Sequence, residues 1–584
     1  MPPPPPTPRT EPTGRPAQGK EEQVHAKNSA STETDRYDVA ILGSGMAGGM
    51  LGAVLARNGV KTLILDAGTH PRFAVGESTI PYTSGMARLI AKRYDVPELK
   101  ALSNYKGTIE EVSPNCGQKQ NFGFVYHREG QPQNPQEINQ LVVPVDLRTE
   151  THLFRQDVDA HLFHVALTYG ADARLATRVT EIDVDPEEGA VLRTEHGEEF
   201  RASYVVDGSG FRSPLAEKFD LRETPTRART HSRCLFTHMI GVKPFDDSPT
   251  ARQHDQPSPW HHGTLHHVFD GGWLWVIPFD NHAAARNPLC SVGLTLDPRK
   301  YPKGDTPPEQ EFRDFLARFP EIAWQFEGAK EVRPWVSTGR LQYSAKTVVG
   351  DRYCLTSHAA GFIDALYSRG LANTLELVNA LGWRLIAASR DGDWSKERFA
   401  HVEALHQGLF DFHDDLVYSS FVGFGHYELW NAVNRTWMLG TMSGNMMVED
   451  AYYRFSETGD PEVFLDAERS GNPGSPLPIS ESFVRMGKLT RELCEAVEAG
   501  TVEPGAAAAR IHEYIQKEVD FIAHADKFGL PENRCFNMTR ERMDAAEEWS
   551  RTQAPPEIGK RMINAARGMA LAKEAEAGTG SRDY

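Results

Sequence analysis

The chain has 584 residues, of which 40% are apolar and 24% are charged, so most of it should fold around buried cores. Its 63 basic and 80 acidic residues give a net charge of −17, which argues against a general nucleic-acid binder and against an anionic membrane surface as a partner.

Residues 1–36 are rich in proline and then in serine, threonine and charge, which predicts a disordered tail. No apolar run follows a basic one there, so the sequence does not predict a secretory signal. The six cysteines have neither metal-ligand spacing nor the density of a disulfide scaffold. We therefore expect reduced thiols in a cytoplasmic protein.

A glycine-rich turn follows the first predicted strand, which ends near residue 42. Gly43, Gly45 and Gly48 have the spacing G-x-G-x-x-G and precede a helix of small and apolar residues. A second apolar strand then ends at Asp66. The glycines allow a tight turn and a close approach of a pyrophosphate, and Asp66 can accept hydrogen bonds from ribose hydroxyls. These features predict a dinucleotide-binding β-α-β unit.

Later segments predict a second layer of structure. Residues 154–170 have the pattern of an amphipathic helix, and 198–207 end in an apolar strand. Alternating and aromatic runs between about 230 and 345 predict an inserted antiparallel sheet. We expect one cofactor-binding core over 37–390, and a mostly helical C-terminal region over 391–584 that covers the substrate site.

Two further segments favour FAD over a nicotinamide cofactor: GEST at 76–79 and VVDGSGFRS at 205–213. Their spacing resembles that of the glutathione-reductase-like flavoproteins with a hydroxylase-type substrate sheet, which implies an α/β fold with a Rossmann-like FAD domain. No second G-x-G-x-x-G is present, so a separate flavin reductase should supply the reduced flavin. The resemblance implies contacts with the flavin site for Glu77, Ser78, Arg155 (with Asp159) and Asp207.

The string GGWLWVIPF at 271–279 contains Trp273, Trp275 and Pro278 in the pattern W-x-W-x-I-P. Tryptophans at i and i+2 point to the same side of a strand, where they could wall a flavin and keep water away. The pattern resembles the signature of the flavin-dependent halogenases. The resemblance implies an enzyme that uses FADH₂, O₂ and chloride to halogenate an electron-rich or activated carbon of a natural-product precursor.

A lysine downstream of the GEST segment is expected from the same resemblance. In the halogenases this amine holds hypohalous acid, or forms a haloamine, and directs the electrophilic halogen to the substrate. Lys106, in the string SNYKGTI at 103–109, occupies a similar place and is our predicted catalytic lysine.

The string GFIDALYSRGLANT at 361–374 resembles the halogenase loop that holds chloride on backbone amides beside the flavin. Here those amides belong to Arg369 and Gly370. Tyr367 replaces a glutamate of the tryptophan halogenases and, with an ordinary pKa near 10, cannot be the same base at neutral pH. Ser368 matches the family, so Tyr367 and Ser368 are candidate catalytic residues. His358, ahead of the loop, is a candidate contact for flavin.

Tyr367 and the long helical C-terminus resemble the branch that includes the halogenases of chloramphenicol and chondrochloren biosynthesis. Some members of that branch act on carrier-tethered acyl substrates, so a free small molecule and a carrier-protein-tethered substrate both remain open. In the same branch an aspartate after the signature can bond covalently to the flavin. Asp280 stands at that position, so covalent and non-covalent attachment of FAD also remain open.

Four histidines, at 261, 262, 266 and 267, precede the signature. No carboxylate or cysteine joins them at ligand spacing, and a strand would divide them between its two faces, so no metal site is predicted.

Three other functions remain open on this fold. A flavin monooxygenase would transfer a hydroxyl group instead of a halogen, and a saturase of isoprenoid chains would need no oxygen chemistry. A catalytically silent flavoprotein could act as a docking subunit. Chloride-dependent turnover would separate the halogenase from all three.

Overall fold

The computed structural model describes residues 36–142, 150–469 and 471–577. The expected disordered tail, apart from Arg36, lies outside the described residues. The strands are β1 (Arg36–Leu42), β2 (Thr62–Leu65), β3 (Gly117–Lys119), β4 (Asn121–His127), β5 (Ile138–Val142), β6 (Glu150–His152), β7 (Asp172–Arg174), β8 (Val179–Asp185), β9 (Gly189–Thr194), β10 (Glu199–Asp207), β11 (Arg233–Ile240), β12 (Thr264–Phe269), β13 (Gly272–Pro278), β14 (Cys290–Leu296), β15 (Lys330–Glu331), β16 (Val336–Ser337), β17 (Val349–Gly350), β18 (Tyr353–Leu355) and β19 (Cys535–Asn537).

Helices surround these strands and dominate the chain after residue 369. They are α1 (Met46–Arg57), α2 (Pro81–Arg93), α3 (Tyr105–Gly107), α4 (Arg155–Thr168), α5 (Pro214–Lys218), α6 (Pro308–Leu316), α7 (Pro320–Gln325), α8 (Arg369–Asp391), α9 (Ala400–Gly423), α10 (Tyr427–Thr458), α11 (Glu462–Glu468), α12 (Glu481–Glu498), α13 (Pro504–Glu518), α14 (Ala525–Phe528), α15 (Arg540–Thr552) and α16 (Pro556–Ala577). Among the described helices, none is both long enough and apolar enough to cross a membrane.

A mostly parallel sheet forms the first layer, in the order β17-β18-β10-β1-β2-β7. Strands β18, β10, β1, β2 and β7 are parallel, and β8 and β9 extend antiparallel from β10. Residues 39–42 of β1 are buried on both faces, as expected for an apolar strand between helices. Helices α1, α4 and α8 pack close to one another at this layer. The predicted α/β class with a Rossmann-like unit is confirmed.

A mostly antiparallel sheet forms the second layer, in the order β15-β11-β14-β13-β12-β4-β5-β19, and its β12–β4 and β5–β19 pairs are parallel. It extends beyond the expected range of about 230–345, because β4 and β5 come from earlier in the chain and β19 comes from the C-terminal region. Strand β4 pairs with β12 along six residues, so it is an internal strand of the sheet. Sequence periodicity missed it because all seven of its residues are buried and no polar alternation marks it.

The helical region packs directly on both sheets and on the β-α-β unit. Helix α10 is 32 residues long and packs against α2, α9, α13 and α16. Its N-terminal half also lies against the aromatic face of β4. Helix α8 ends at Asp391, next to the expected boundary at 390, and β19 of the C-terminal region joins the second sheet.

Candidate active site

A cleft of about 460 Å³ opens at the carboxyl ends of the parallel strands. Gly43 has φ +94°, and a side-chain carbon there would lie 2.8 Å from the carbonyl oxygen of Gly208. A side-chain carbon at Gly48 would lie 1.9 Å from the carbonyl oxygen of Gly43. The turn therefore needs glycine at both positions. Of the predicted contacts, the cleft is lined by Gly43, Gly45, Asp66, Arg155 and His358.

Asp66 lies at the wall of this cleft with its carboxylate already hydrogen-bonded. Its Oδ2 accepts from the backbone N–H and the hydroxyl of Ser44, at 2.6 and 2.7 Å. Its Oδ1 accepts from the Gly68 N–H at 2.7 Å and pairs with Arg72 at 2.5 Å. Burial opposes ionisation, but the hydrogen bonds and charge of Arg72 hold the pKa of Asp66 well below its ordinary value.

Arg155 and Asp159 form a two-bond ion pair in the first turns of α4, with N–O distances of 2.8 and 2.9 Å. The Nη1 of Arg155 also donates to the carbonyl oxygens of Val75 and Gly76. Arg155 thus joins α4 to the GEST segment at the edge of the cleft. His358 lies on the same cleft, and burial lowers its pKa to about 4, so its ring is neutral near pH 7.

Asp207 lies behind the cleft and supports the turn that follows β10. Its carboxylate is fully buried and accepts hydrogen bonds from the Ser209 and Ser213 hydroxyls, both at 2.6 Å, and from the Leu215 N–H. It therefore shapes the turn after β10, and the cleft is lined by the adjacent Gly208 and Ser209. The Asp207 side chain itself does not line the cleft.

A buried lysine lies at the end of β3, close to the GEST segment. The Nζ of Lys119 donates to Ser78 Oγ and to the carbonyl oxygen of Thr79, both at 2.7 Å. It also lies 3.9 Å from the ring centroid of Phe122. Burial lowers the pKa of Lys119 well below its ordinary value, and the nearby carboxylate of Glu150 opposes that shift. Burial thus shifts the protonation equilibrium of this amine towards its neutral form.

Hydrogen bonds connect Ser78 to the end of the W-x-W-x-I-P strand. Its hydroxyl is 2.8 Å from Thr264 Oγ1, which is 2.9 Å from His152 Nε2. The other ring nitrogen of His152 is 2.8 Å from the carbonyl oxygen of Pro278. Burial lowers the pKa of His152 to about 3, so this network carries no imidazolium near pH 7. Pro278 therefore contributes its backbone oxygen to the support of Lys119.

Glu77 makes a separate link between the GEST segment and the antiparallel sheet. Its Oε1 lies 2.6 Å from Nε2 of His238 on β11, and both side chains are buried.

Trp273 and Trp275 lie on the same side of β13, with ring centroids 5.6 Å apart. Neither indole lines the cleft of about 460 Å³. They are buried within the antiparallel sheet, where Trp275 donates to Ser291 Oγ at 3.2 Å. Trp273 lies beside the carboxyl of Asp364, and burial raises the pKa of that carboxyl to about 7.

The loop before α8 presents the first helical amides next to the flavin cleft. Ser368 has φ +52° and starts the helix, so Arg369 and Gly370 are its first two residues. The N–H groups of a first helical turn have no partner within the helix and attract anions. A side-chain carbon at Gly370 would lie 3.2 Å from His358 Nε2, and Leu371 lines the cleft.

The fold and this site agree with known proteins. The family model described as tryptophan halogenase matches residues 146–400. Tetracycline 7-halogenase of Kitasatospora aureofaciens is 47% identical over 524 residues, which cover 89% of this chain and 94% of that protein. Monodechloroaminopyrrolnitrin halogenase PrnC of Pseudomonas fluorescens is 45% identical over 541 residues, or 90% of this chain and 94% of PrnC.

A solved structure gives the same result. The halogenase PltM in complex with phloroglucinol and FAD is 33% identical, with a TM-score of 0.81 over 85% of this chain and 99% of PltM. The chain belongs to the flavin-dependent halogenases. The halogenase uses FAD in its reduced form together with O₂ and chloride, as predicted. Its cleft fits FAD because the glycine turn leaves room for a pyrophosphate beside the start of α1.

Two of the predicted site residues, Lys106 and Asp280, lie away from the flavin cleft and from Lys119. The Lys106 side chain is 74% exposed, and its nearest carboxylate is Glu110 at 4.0 Å. The Asp280 side chain is 49% exposed, with its carboxylate 3.8 Å from His261, and it does not line the flavin cleft. The structure therefore gives no support to Lys106 as the buried amine or to a covalent bond between Asp280 and FAD.

Tyr367 is fully buried and faces away from solvent. Its hydroxyl lies 2.6 Å from Ser420 Oγ, and its ring packs on Trp437 with centroids 5.0 Å apart. Burial raises the pKa of Tyr367 well above its ordinary value, so the phenol stays protonated. This agrees with the expectation that Tyr367 cannot act as the missing carboxylate base.

Sequence reasoning missed Lys119. The string QKQNFGFVYH places this lysine two residues ahead of an aromatic strand, and that neighbourhood was the available signal. The burial itself was not readable, because Phe122 and Phe124 are covered by Trp437 and Trp430, more than 300 residues later in the chain.

Proposed function

We propose that Lys119 carries the electrophilic halogen in this halogenase, in the role first assigned to Lys106. The observation that supports this role is the buried Nζ of Lys119, held by Ser78 and Thr79 directly after the GEST segment. An amine must be neutral to attack hypochlorous acid, and burial favours the neutral form of Lys119. Lys106 is solvated and has no such environment.

When bound, reduced FAD would supply two electrons to O₂, and the half-reduced oxygen would take two more from chloride, with uptake of one proton, to give hypochlorous acid and water. The Lys119 amine attacks the chlorine atom, an N–Cl bond forms, and water leaves. An electron-rich carbon of the substrate then takes the chlorine, the N–Cl bond breaks, and the displaced ring proton returns to the amine. Because the amine accepts that proton, this sequence does not require a carboxylate at Tyr367.

We place the chloride at the first turn of α8. The backbone N–H groups of Arg369 and Gly370 begin a 23-residue helix, and helix N-termini favour anions. Ser368, in its left-handed conformation, turns the chain so that these amides follow it directly. Gly370 and Leu371 lie close to His358 and to the flavin cleft, which supports transfer of chloride to the site of oxidation.

We propose a free small molecule, rather than a carrier-tethered acyl group, as the substrate. Tetracycline 7-halogenase and monodechloroaminopyrrolnitrin halogenase PrnC are each named for a small molecule and align with about nine-tenths of this chain. Halogenases of this family need a separate flavin reductase, and we propose a diffusing NADH-dependent reductase as the partner. All six cysteines are unpaired, which supports a reducing, cytoplasmic setting.

The decisive experiment compares two lysine variants in a coupled assay. Lys119→Met should lower chlorination of an electron-rich acceptor at least 100-fold while an amine trap still detects hypochlorous acid. Lys106→Met, its matched control, should keep both activities within about twofold of wild type. If Lys119→Met chlorinated the acceptor normally, Lys119 would lose its role, and hydroxylated product at saturating chloride would instead establish a monooxygenase.

A further inference from the structure

The chloride loop, residues 361–374, is tied to the second sheet just before it reaches the proposed chloride-binding amides. Gln342 makes the tie. Its Nε2 donates to the carbonyl oxygen of Ile363 at 2.7 Å and to Ser232 Oγ at 2.8 Å. Its Oε1 accepts from the Ser232 N–H at 3.0 Å. One side chain thus joins the loop to the residue that directly precedes β11.

Asp364 completes the same network from the loop side. Its Oδ2 accepts from the Ser232 hydroxyl and its Oδ1 from the Leu366 N–H, both at 3.0 Å. Ser232, Gln342 and Asp364, which we call the Gln342 network, are 0%, 3% and 1% exposed. Loss of one member would leave buried polar atoms of the others unpaired, so the network specifies one arrangement of residues 363–366.

The network is supported by paired strands of the second sheet. Strand β11, which begins directly after Ser232, pairs with β14, and β14 pairs with β13 of the W-x-W-x-I-P signature. Trp273 on β13 is buried and lies beside the Asp364 carboxyl. The loop is therefore tied to an extended sheet rather than to another loop.

The next part of the loop is fixed by the helical region. The hydroxyl of Tyr367 lies 2.6 Å from Ser420 Oγ on α9, and its ring stacks on Trp437 of α10 with centroids 5.0 Å apart. The residues that lead into α8 are thus held from two directions, by the sheet at 363–366 and by the helices at Tyr367.

The conformation of Ser368 requires such support. Its φ of +52° lies in the left-handed region, which residues other than glycine rarely adopt. Such a conformation persists where the surrounding structure over-determines it. The Ser368 N–H bonds the carbonyl oxygen of Ala365 at 3.0 Å, inside the segment that the network fixes. The direction of the Arg369 and Gly370 amides therefore depends on contacts made at residues 363–367.

We infer that the Gln342 network sets the halide preference of this enzyme, because it holds the two chloride-binding amides at a fixed spacing that favours chloride over the larger bromide. A rigid site distinguishes ions by size better than a site that can relax. Ser232, Gln342 and Asp364 are positioning residues, since they act through the backbone of the loop. This inference rests on the proposed function, which places chloride at the first turn of α8.

Gln342→Met tests the inference, because it keeps an unbranched side chain and removes all three hydrogen bonds. The backbone bonds between Tyr343 and Phe362 remain, so the loop should stay attached to the sheet. With hypohalous acid trapped at saturating reduced FAD, the KM for chloride should rise about tenfold. The ratio of kcat/KM for bromide to that for chloride should rise about threefold or more. The KM for reduced FAD should stay within about twofold, since the network does not line the flavin cleft.

Gln325→Met is the matched control. Gln325 is also buried, and its amide is paired with His267 at 2.7 Å and with the carbonyl oxygen of Lys243 at 3.0 Å, away from the chloride loop. Both variants lose buried hydrogen bonds, so both should have a lower melting temperature. The halide constants of Gln325→Met should match those of wild type. An equal halide shift in the two variants would overturn the inference.

Two variants at Asp364 give an independent test that does not depend on how Gln342→Met folds. Asparagine can still accept from the Leu366 N–H and bond Ser232 Oγ, whereas leucine can do neither. Chloride and bromide have the same charge, so the effect of losing the carboxylate charge should cancel in their ratio. Asp364→Asn should keep that ratio within about twofold of wild type, and Asp364→Leu should shift it about threefold or more towards bromide.

The outcomes separate this inference from the proposed function. If wild type forms hypochlorous acid in a chloride-dependent way but Gln342→Met and Asp364→Leu keep its halide preference, the inference is overturned and the proposed function stands. Absence of chloride-dependent hypochlorous acid and of every halogenated product in wild type would contradict the proposed function itself.

Discussion

The flavin cleft and the Lys119 region are built in opposite ways. The cleft is made from backbone at two glycine-rich turns, and its shape depends on atoms that are missing from Gly43 and Gly48. The Lys119 region is made from side chains that come from distant parts of the chain, including Ser78, Thr264 and Trp437. A local pattern can therefore specify the first, whereas only the tertiary fold brings the second together.

The two regions also treat charge differently. In the cleft, Asp66 is kept ionised by Arg72 and by backbone N–H groups, and Arg72, Arg155 and Arg178 line a space that must accept a pyrophosphate. Around the antiparallel sheet, burial favours the neutral forms of Lys119 and Asp364. The first region is charged where the cofactor binds, whereas in the second burial dominates the pKa values of Lys119 and Asp364.

The strongest test of this contrast is Gly48→Ala. The added carbon would lie 1.9 Å from the carbonyl oxygen of Gly43, so the turn must open. We expect the affinity for FAD, measured by fluorescence titration, to fall at least 100-fold, with loss of both hypochlorous acid and product. Gly59→Ala is the control: Gly59 has φ +81° but nothing within 4 Å, so the change should cost about 1 kcal/mol of stability and leave FAD binding intact. Normal FAD binding by Gly48→Ala would contradict the role of the turn.

Asp364→Asn tests whether burial beside the second sheet raises the pKa of Asp364. Burial raises the pKa of Asp364 from an ordinary value of 3.8 to about 7, so its contribution to stability is full below pH 3.8 and is lost as the pH rises through 7. The variant lacks this titration. Its free energy of unfolding relative to wild type should therefore rise by about 3 kcal/mol between pH 5 and pH 8. Denaturant unfolding at both pH values measures this; a constant difference would contradict it.

The same contrast explains what the sequence could predict. The turn of Gly43, Gly45 and Gly48 could be predicted because the role of each glycine depends on neighbours within that turn. The shared side of Trp273 and Trp275 could be predicted because side chains in a strand alternate with a period of two. The family and the cofactor followed from those local patterns.

Local sequence patterns could not predict which of the two lysines, Lys106 or Lys119, is buried. Residues 97–112 form consecutive short 3₁₀, α and π turns, which have no shared periodicity and leave Lys106 at the surface. Lys119 lies between the GEST segment and strand β4, and α10, which begins at residue 427, packs on that strand. Burial caused by long-range packing leaves no mark in the local sequence.

Glu150→Gln tests how the surroundings of Lys119 set the pKa of its amine. Glu150 Oε2 accepts hydrogen bonds from Thr79 at 2.9 Å and from Ser84 at 2.5 Å, and a glutamine oxygen can still accept them. Loss of the negative charge should lower the pKa of Lys119 further, since Glu150 is the group that raises it. The acid limb of the pH profile of product formation should therefore move to lower pH, with higher activity on that limb.

Glu110→Gln provides the matched control, because Glu110 lies beside the exposed Lys106. Its pH profile should match that of wild type. If Glu150→Gln instead moved an alkaline limb to lower pH, the ammonium form of Lys119 would be the active one, and the haloamine step would be excluded.

The smallest expected effect belongs to Tyr367→Phe. The phenol bonds Ser420 Oγ, which itself donates to the carbonyl oxygen of Leu416, so the variant loses one buried hydrogen bond worth about 1 kcal/mol. The ring of residue 367 would still pack on Trp437. We expect kcat/KM for chlorination within about threefold of wild type, with a slightly lower melting temperature. A 100-fold fall in kcat at unchanged stability would instead make the Tyr367 hydroxyl a catalytic group. The chloride loop before α8 would then take part in the chemistry, in addition to the flavin cleft and Lys119.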